Sequence, residues 1–384
     1  MNQAMLLIAF AAGNAGVAMR MMEPMLAQLA ADFGVTAAAA AVVFTAFTTA
    51  QAGAQFFHGA LGDRYGKLKV ITVFLVLSAA AAIACALAPD LQSLAAGRFA
   101  LGAFCSGSMT LGMAYIGDVV PAERRQAVLA SFLSGTLLGQ SLGPFIGGAF
   151  TDLLGWRAAF GFLGVGFALN AVVLFVLTRS EWPASVRDGG ALFSIEPYLG
   201  VVRLPKARLV MRAVFVEALF FFGAFSFIGV LMREHFGLPY TVIGLAIAGF
   251  GLGGLIYTRV VRWLLSRLGP RGMALGGGIV CGLCFAGIAY APVWQVAVAC
   301  TACLGFFYYM MHNTLQTSAT EMAPHARARG LALYSMAWAA GQATGVALIS
   351  VGVIAFGLAP MIAAFGAGIA LFGLWFWYRL PAFP

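Results

Sequence analysis

The chain has 384 residues, of which 62% are hydrophobic and only 9% are charged, and its mean hydropathy is +0.94. Soluble domains carry roughly 25% charged residues, so this composition excludes a soluble globular protein and indicates that lipid is the solvent. The net charge of +9 does not indicate nucleic-acid binding, because the lysines and arginines cluster in alternate loops and only Arg157 and Arg233 fall on the other side. This positive-inside pattern predicts an integral membrane protein with both termini in the cytoplasm.

Apolar runs of roughly 20 residues or more predict twelve transmembrane helices. The first run begins near Met5 without a preceding basic region, so we interpret it as a transmembrane helix and not as a cleaved signal peptide. A polar stretch divides the helices into an N-terminal bundle at residues 1–178, a cytoplasmic linker at 179–210 and a C-terminal bundle at 211–384. The predicted helices cover residues 5–29, 37–61, 69–88, 92–117, 125–152, 158–178, 211–234, 240–265, 271–291, 293–321, 328–355 and 358–379.

Predicted helix 1 carries Arg20 and Glu23, which are three residues apart and therefore lie on one face. Ionisable residues within a membrane are costly and usually functional. Burial disfavours the ionised form of a carboxylate, whereas a neighbouring arginine favours it. The balance makes Glu23 our first choice for a proton-coupling site, with Arg20 as its partner. The alternative is a permanently ionised pair that only orients helices.

A short charged segment at residues 59–69 follows predicted helix 2 and forces helices 2 and 3 to be antiparallel neighbours. It resembles the loop signature of the major facilitator superfamily, a large family of secondary transporters, at Gly59, Leu61, Asp63, Arg64, Gly66 and Lys67. The resemblance implies that Asp63 faces the N-terminus of helix 11 in the opposite half, and that Lys67 pairs with Asp118 at the foot of helix 4. Such a latch would stabilise the outward-facing state. The alternative is a basic loop that only sets topology.

Predicted helix 4 carries Arg98 within the spacing Leu94-x3-Arg98-x3-Gly102, which resembles the helix 4 motif of the same superfamily. The sequence departs from that motif at Leu101, where glutamine is usual. Helix 1 runs outward and helix 4 runs inward, so a rise of about 1.5 Å per residue puts Glu23 and Arg98 at similar depth. We therefore expect Arg98 to belong to the proton-coupling cluster around Glu23.

Predicted helix 5 contains glycines four residues apart, which form a smooth face that another backbone can approach. A proline within this run is expected to kink the helix. The run resembles the antiporter signature of the drug–proton antiporters within the superfamily, although helix packing alone would also explain the glycine spacing. The residues that carry this resemblance are Gly139, Gly143, Pro144, Gly147 and Gly148.

Glu217 in predicted helix 7 and His312 in predicted helix 10 lie at similar depth and predict a second polar cluster. Glu217 is the alternative proton-coupling residue, or else a fixed hydrogen-bonding group. The residues expected to line a substrate cavity are His312, Asn313, Gln316, Phe222, Gln140 and Gln342.

Two cysteine pairs, Cys281-x2-Cys284 and Cys300-x2-Cys303, have the spacing of a zinc ribbon but lie in apolar helices, so we expect no metal. The glycines Gly249, Gly251 and Gly254 match a dinucleotide fingerprint, but they lie inside a predicted helix and indicate helix packing. No Gly-x4-Gly-Lys-Ser/Thr motif occurs in the sequence, so ATP hydrolysis is not supported. We expect no cofactor.

The two halves resemble each other in sequence. Asp118, Pro121 and Arg124 recur with the same spacing as residues 321, 324 and 327, and Gly139-Gln140 recurs as Gly341-Gln342. Such repeats are typical of transporters whose halves are related by an axis along the membrane normal. The predicted fold is therefore all-α, with twelve transmembrane helices in two six-helix bundles related by pseudo-two-fold symmetry.

The resemblance implies a secondary active transporter that works by alternating access. Proton-coupled efflux, or antiport, of small amphipathic or drug-like molecules is the leading expectation. The alternative is proton-coupled uptake or exchange of a metabolite or a siderophore-like cargo. A membrane enzyme or channel is disfavoured, because no cluster of nucleophile, base and orienting acid is apparent. We expect a monomer in the inner (cytoplasmic) membrane.

Overall fold

The computed structural model describes residues 3–179, 182 and 196–382, and within these residues every regular element is helical. The helices are α1 (Gln3–Arg20), α2 (Leu26–Asp32), α3 (Ala37–Ala40), α4 (Val42–Tyr65), α5 (Lys67–Ala86), α6 (Leu91–Cys105), α7 (Gly107–Val119), α8 (Ala122–Leu153), α9 (Trp156–Thr178), α10 (Glu196–Val202), α11 (Pro205–Phe225), α12 (Ile228–Phe236), α13 (Tyr240–Ala289), α14 (Trp294–Glu321), α15 (Arg327–Phe356) and α16 (Leu358–Arg379).

Within the described residues, nine helical stretches are long and apolar enough to cross a membrane. One of them, α13, has 50 residues and contains two passes. Gly249 and Gly287 both lie against residues 300–302 of α14, whereas Gly254 and Gly277 both lie against residues 307–311. The chain therefore reverses direction between these positions, at Gly269, where φ is 63° and ψ is 173°. Together with α1–α2 and α8, the arrangement is consistent with the twelve predicted passes.

Several passes are broken in the middle, which the sequence analysis did not predict. The first predicted helix, 5–29, is interrupted by a turn at residues 21–25 that contains Pro24. A proline removes a backbone donor and clashes with the preceding turn, so the helix ends before it. The fourth and seventh passes bend at Ser106 and Ser226, whose hydroxyls donate to the carbonyls of residues 102 and 222. Hydroxyl bonds of this kind bend membrane helices.

The glycines of α8 lie on two faces that serve different neighbours. Gly139 lies directly against the backbone of Gly13 in α1, and Gly147 lies against the backbone of Met21 in the turn at 21–25. Gly148 instead lies against Tyr240 in α13, which belongs to the other half of the chain. A side chain at any of these positions would overlap the neighbouring backbone. The α8 glycines therefore allow close packing within the N-terminal half and across to the C-terminal half.

The two halves of the chain pack on each other chiefly through α4 with α15 and α8 with α13. One end of the bundle carries the charged segment 59–69, and we call it the loop end. The other end carries residue 152 at the close of α8 and the start of α13, and we call it the far end. Because α1 begins at the loop end and the turn at 21–25 interrupts its pass, the ionisable residues of that pass lie deep between the two ends.

Candidate functional site

Arg20 and Glu23 form a buried ion pair at the break in the first pass. Arg20 ends α1, Glu23 lies in the following turn, and Nη1 of Arg20 donates to Oε1 of Glu23 at 2.7 Å. The two residues are only 6% and 2% exposed. The other carboxylate oxygen of Glu23, Oε2, has no hydrogen-bond partner among the described residues. The predicted contact is therefore present, and it leaves one buried acceptor free.

Arg20 also contacts the opposite half of the chain. Its guanidinium lies over the ring of Phe222 at 4.4 Å and near the ring of Phe225 at 5.6 Å, both in α11. Cation–π contacts of this kind contribute about 0.5–2 kcal/mol, with the larger values where water is excluded. One side chain thus joins the carboxylate of Glu23 to the aromatic surface of the C-terminal half.

Arg98 does not pair directly with Glu23, for which the sequence offered Arg98 or Arg20 as partner, but it lines a cavity with both residues. Its Nη1 donates to the carbonyl of Ala18 at 2.7 Å, and its Nε donates to the carbonyl of Val43 at 3.5 Å. Its guanidinium also lies 4.1 Å above the ring of Phe47. Ala18 is in the last turn of α1, where carbonyls lack partners within the helix. The break in the first pass therefore provides Arg98 with an acceptor closer than the carboxylate, and Nη2 of Arg98 has no partner among the described residues.

Two small cavities meet at the Arg20–Glu23 pair. The first is lined by Gln140, Ser141 and Pro144 of α8 and by Phe250 and Tyr309 of the C-terminal half. We call it the α8 cavity. Gln140 is half-buried there, as expected of a cavity residue.

The second cavity is lined by Arg98 and Phe47 of the N-terminal half and by Phe222, Ser226 and Gln342 of the C-terminal half, besides Arg20 and Glu23. We call it the Arg98 cavity. Gln342 is 4% exposed, and its Nε2 has no hydrogen-bond partner among the described residues. The two predicted cavity glutamines thus lie in different cavities, on either side of the same ion pair.

Glu217 and His312 form the second predicted cluster, which lies entirely in the C-terminal half. Oε2 of Glu217 is 2.8 Å from Nδ1 of His312, and Glu217 is fully buried. The hydroxyl of Tyr308 is 3.2 Å from the same nitrogen and accepts a hydrogen bond from Nε1 of Trp338 at 3.2 Å. The hydroxyl of Tyr334 is 3.5 Å from Nε2 of His312. Each ring nitrogen of His312 therefore has a polar neighbour.

The other predicted cavity residues of α14 do not join these sites in the same way. Asn313 is half-buried and Gln316 is exposed. Gln316 lines neither the α8 cavity nor the Arg98 cavity. Gln316 was expected beside the Glu217–His312 cluster, and its side chain is exposed, so a role in cargo binding stays a prediction.

At the loop end, Nζ of Lys67 is 2.5 Å from Oδ2 of Asp118, as the resemblance implied. The same nitrogen is 3.3 Å from Oδ1 of Asp63. Asp63 does not cap α15: that helix starts after Ala326, and its N-terminus receives no hydrogen bond from a capping side chain. Asp63 is instead exposed and pairs with Lys67, one turn further along the chain. The contact of Asp63 with the opposite half, expected for the outward-facing state, stays a prediction.

The remaining residues of the 59–69 segment have local roles. Gly66 has φ of 90°, a conformation that favours glycine, and it separates α4 from α5. The guanidinium of Arg64 lies 5.5 Å from the ring of its neighbour Tyr65. No atom lies close to the position of a Cβ on Gly59, so close packing does not require glycine there.

Asp152 was not predicted as a functional residue, yet it joins the two halves at the far end. Oδ1 accepts a hydrogen bond from the backbone N of Tyr240 at 3.1 Å. Oδ2 accepts from the backbone N and the hydroxyl of Thr241, each at 2.7 Å. A carboxylate from α8 thus caps the N-terminus of α13, where negative charge is favoured. The sequence did contain a hint of this contact. Leu238 and Pro239, which precede α13, provide no capping side chain, so the N-terminus of that helix needs an acceptor from elsewhere in the chain.

Comparison with known proteins shows the family. A sequence profile described as the Major Facilitator Superfamily matches residues 8–346 and 213–384. Citrate exporter 1 of Aspergillus niger is 25% identical over 276 residues, which are 63% of this chain and 53% of that protein. Efflux pump radE of Floropilus chiversii is 23% identical over 286 residues, or 66% of this chain and 53% of that protein. The chain thus spans about half the length of these two relatives.

A bacterial relative matches over more of its length, and solved structures share the fold. The uncharacterized MFS-type transporter YwfA of Bacillus subtilis (strain 168) is 25% identical over 366 residues, which are 92% of this chain and 85% of that protein. A bacterial homolog of the human lysosomal transporter Spinster, in an inward-facing and unoccupied conformation, has a TM-score of 0.84 at 15% identity and covers 99% of this chain and 97% of that chain. The peptide transporter POT in complex with sulfate has a TM-score of 0.78 at 17% identity, covering 100% and 95%.

The profile match covers most of the chain, and the all-helical architecture agrees with these structures. The chain therefore belongs to the Major Facilitator Superfamily and has the multi-pass, all-helical architecture of a membrane protein.

Proposed function

We propose that the protein is a proton-coupled exporter that exchanges protons for a small amphipathic cargo by alternating access, with Glu23 as the proton site. One observation carries the proposal: Glu23 is buried between the halves, with one oxygen bonded to Arg20 and the other without a partner. A carboxylate in such a place changes its charge at a cost that conformation can alter. Two relatives named as an exporter and an efflux pump support the outward direction.

Arg20 is the residue through which the charge of Glu23 would influence conformation. While Glu23 is ionised, the strong, charge-assisted bond to Arg20 dominates. Once Glu23 is protonated, that bond weakens, and the contacts of Arg20 with Phe222 and Phe225 become its main ones. Because those rings belong to the opposite half, a proton at Glu23 changes how strongly the halves are joined at this depth.

The moving units would be the N-terminal bundle at residues 1–178 and the C-terminal bundle at 211–384, joined by the linker at 179–210. The glycine faces of α8 support this proposal, because backbones in direct contact can slide with few side-chain rearrangements. The positive-inside pattern supports a location in the cytoplasmic membrane with both termini in the cytoplasm. We propose that the protein acts as a monomer, since each half already packs on the other within one chain.

The test is proton counterflow in proteoliposomes that enclose a pH-sensitive dye. A pH gradient is imposed, amphipathic candidates are added outside, and substrate-triggered proton movement is recorded. We expect the movement in the wild type and its loss in Glu23→Gln, which keeps the shape but cannot ionise. Glu234→Gln is the matched control, because Glu234 is an exposed carboxylate of α12.

Two outcomes would overturn parts of the proposal. Proton movement that persists in Glu23→Gln but disappears in Glu217→Gln would transfer the proton site to the Glu217–His312 pair. If no cargo triggers proton movement and labelled metabolites exchange across the membrane instead, the antiport mechanism is wrong. The protein would then be a metabolite exchanger. Citrate would be the first metabolite to test, because one relative is named as a citrate exporter.

A further inference from the structure

We propose that the Arg98 cavity recognises a carbonyl-type oxygen of the cargo, through Nη2 of Arg98 in one half and Nε2 of Gln342 in the other, and that it rejects cationic amphipaths. The inference rests on the proposed function in one respect: it takes this cavity between the halves to be part of the transport site. It reassigns Arg98 from proton coupling to cargo binding.

The first observation is that both nitrogens are buried donors without partners. Arg98 is fully buried and Gln342 is 4% exposed, and neither Nη2 of Arg98 nor Nε2 of Gln342 has a hydrogen-bond partner among the described residues. A buried polar group without a partner costs about 1–3 kcal/mol, and more if it is charged. Both residues line the same cavity. An acceptor oxygen on a cargo molecule would satisfy both donors.

The second observation is that Arg98 is held in place by bonds that do not involve the cargo. Nη1 and Nε are bonded to the carbonyls of Ala18 and Val43, and the plane of the guanidinium is held above Phe47. The remaining nitrogen, Nη2, therefore has a fixed position. A donor that is already oriented binds an acceptor at a lower entropic cost than a flexible one.

The third observation is the charge of the cavity. Its ionisable lining residues are Arg20, Glu23 and Arg98, so the sum is +1 when Glu23 is ionised and +2 when it is protonated. A cationic cargo would lose its hydration and face two guanidinium groups, while Arg20 already occupies one oxygen of Glu23. Like charges at close range in a low dielectric repel strongly. The cavity thus favours an uncharged or anionic cargo.

The unpartnered oxygen of Glu23 adds one further requirement. Glu23 lines both cavities and its Oε2 is a buried acceptor, so a hydroxyl or N–H group next to the cargo carbonyl would complete the set. An uncharged carbonyl compound leaves Glu23 free to ionise, and is compatible with antiport. A carboxylate would add negative charge beside Glu23 and favour its protonated form, so proton and cargo would bind together. The charge state of the cargo therefore determines the sign of proton coupling.

The position of the two donors also explains why cargo binding would matter for transport. Arg98 lies in α6 of the N-terminal half, and Gln342 lies in α15 of the C-terminal half. A single oxygen that accepts from both would connect the halves within the cavity. The free energy of that connection would depend on how far apart the halves are, so the cargo would bind one conformation more tightly than the other. A ligand can shift a conformational equilibrium only through such a difference in affinity.

The experiment measures binding of three probes that share one aromatic scaffold: 2-naphthamide, 2-naphthoate and 2-naphthylmethylammonium. Binding to the full-length protein in detergent is measured by calorimetry. We expect the amide and the carboxylate to bind the wild type, and the ammonium to bind at least about tenfold more weakly. Similar affinities for amide and carboxylate identify the carbonyl as the feature recognised, whereas tighter carboxylate binding shows that charge adds to it. Both results support the proposal.

Three variants test the assigned donors. Gln342→Leu removes one donor and is expected to weaken amide and carboxylate binding by about tenfold, the effect of losing one hydrogen bond worth roughly 1.4 kcal/mol. Gln342→Glu has nearly the same shape but replaces the donor with an acceptor, so the preference is expected to shift towards the ammonium probe. Arg98→Lys keeps the charge and loses Nη2, and is expected to reduce amide binding. Gln295→Leu is the control, because Gln295 is an exposed glutamine of α14 that lines neither cavity.

The proposal is overturned if the ammonium probe binds the wild type as well as the amide does. It is also overturned if none of the probes binds at millimolar concentration, or if Gln342→Leu and Gln295→Leu have equal effects while both retain the wild-type melting temperature. These results are distinct from failure of the proposed function. Selective binding together with unchanged proton movement in Glu23→Gln would refute the proton site alone, and loss of proton movement without probe selectivity would refute the cargo inference alone.

Discussion

Removing the carboxylate of Asp152 is expected to shift the protein towards conformations that are open at the far end. Asp152 belongs to α8, yet its two oxygens accept three hydrogen bonds from Tyr240 and Thr241 at the start of α13. This cap is therefore also a contact between the halves. It can be present only while the far end is closed, so its free energy contributes directly to the equilibrium between closed and open.

The magnitude follows from the geometry. Replacing a capping aspartate with alanine costs about 0.5–2 kcal/mol. Asp152 bonds both backbone donors and a hydroxyl, which indicates the upper part of that range, but it is exposed, so water partly replaces the lost bonds. A value of about 1.4 kcal/mol corresponds to a tenfold change in the closed-to-open ratio. Asp152→Asn keeps one acceptor oxygen and should give an intermediate shift, and Thr241→Val, which removes a single hydroxyl bond, should give a smaller one.

The assay is a distance distribution between spin labels at Leu87 and Tyr290, measured by double electron–electron resonance. Both residues lie at the far end, one in each half, and are 75% and 64% exposed, so labels there perturb little packing. The label sites require a background in which the six native cysteines are replaced. We expect Asp152→Ala to increase the long-distance population about tenfold relative to the short one. An unchanged distribution in Asp152→Ala would show that the cap does not contribute to closure.

Three further predictions concern stability and the loop end. Gly147→Ala should lower the stability of the detergent-solubilised protein by about 1–3 kcal/mol, because the new methyl group would overlap the backbone of the first pass; Gly161→Ala, where no atom lies near, should have little effect in the same thermal unfolding assay. Lys67→Asp and Asp118→Lys should each impair transport, and the double exchange should restore it if their 2.5 Å pair is what matters. Glu217→Gln should destabilise the protein less than Glu217→Leu, because the amide can still bond His312, whereas leucine removes this bond and leaves the Tyr308 hydroxyl, 3.2 Å away, as the polar neighbour of Nδ1.

Much of the fold could be predicted from the sequence, because the hydropathy of a segment indicates whether lipid or water surrounds it. Predicted helices 158–178 and 358–379 agree with α9 (Trp156–Thr178) and α16 (Leu358–Arg379) to within two residues. The breaks within passes could not be predicted in this way, since averaging over about 20 residues conceals a turn of five. Pro24 was visible in the sequence, but its effect depends on whether the surrounding structure supports a break, and prolines also occur inside continuous helices, as Pro144 does in α8.

Contacts within the site were predictable where depth or spacing alone determines them. Arg20 and Glu23 are three residues apart, and Glu217 and His312 share a depth, so both pairs were found. Arg98 shares a depth with Glu23 as well, yet it bonds to Ala18. Depth does not fix the rotation of a helix about its axis, and the free carbonyl at the end of α1 could not be foreseen without the break.

Contacts between the halves were the least predictable, because they depend on conformation as well as on sequence. Asp63 was expected at the N-terminus of α15 but pairs with Lys67, whereas Asp152 was not expected at the N-terminus of α13 and caps it. The two observations agree if the halves are closed at the far end and separated at the loop end. In that arrangement the far-end cap forms and the loop-end contact is out of reach, as the proposed alternating-access mechanism requires.

In the proposed mechanism, Arg20 links proton and cargo because its contacts differ in strength. Breaking a buried ion pair by removing the charge of one partner costs about 3–5 kcal/mol, whereas its stacking on Phe222 contributes about 0.5–2 kcal/mol. While Glu23 is ionised, Arg20 therefore stays with the carboxylate, and the opposite half gains only the weaker contact. Once Glu23 is neutral, the stacking on Phe222 of the C-terminal half becomes the main contact of Arg20. Arg20→Lys separates these effects: the ammonium keeps the charge beside Glu23 but lacks the planar group that covers the ring. Proton binding should then persist while proton-driven transport is lost, and a variant that transports normally would show that coupling runs through other residues.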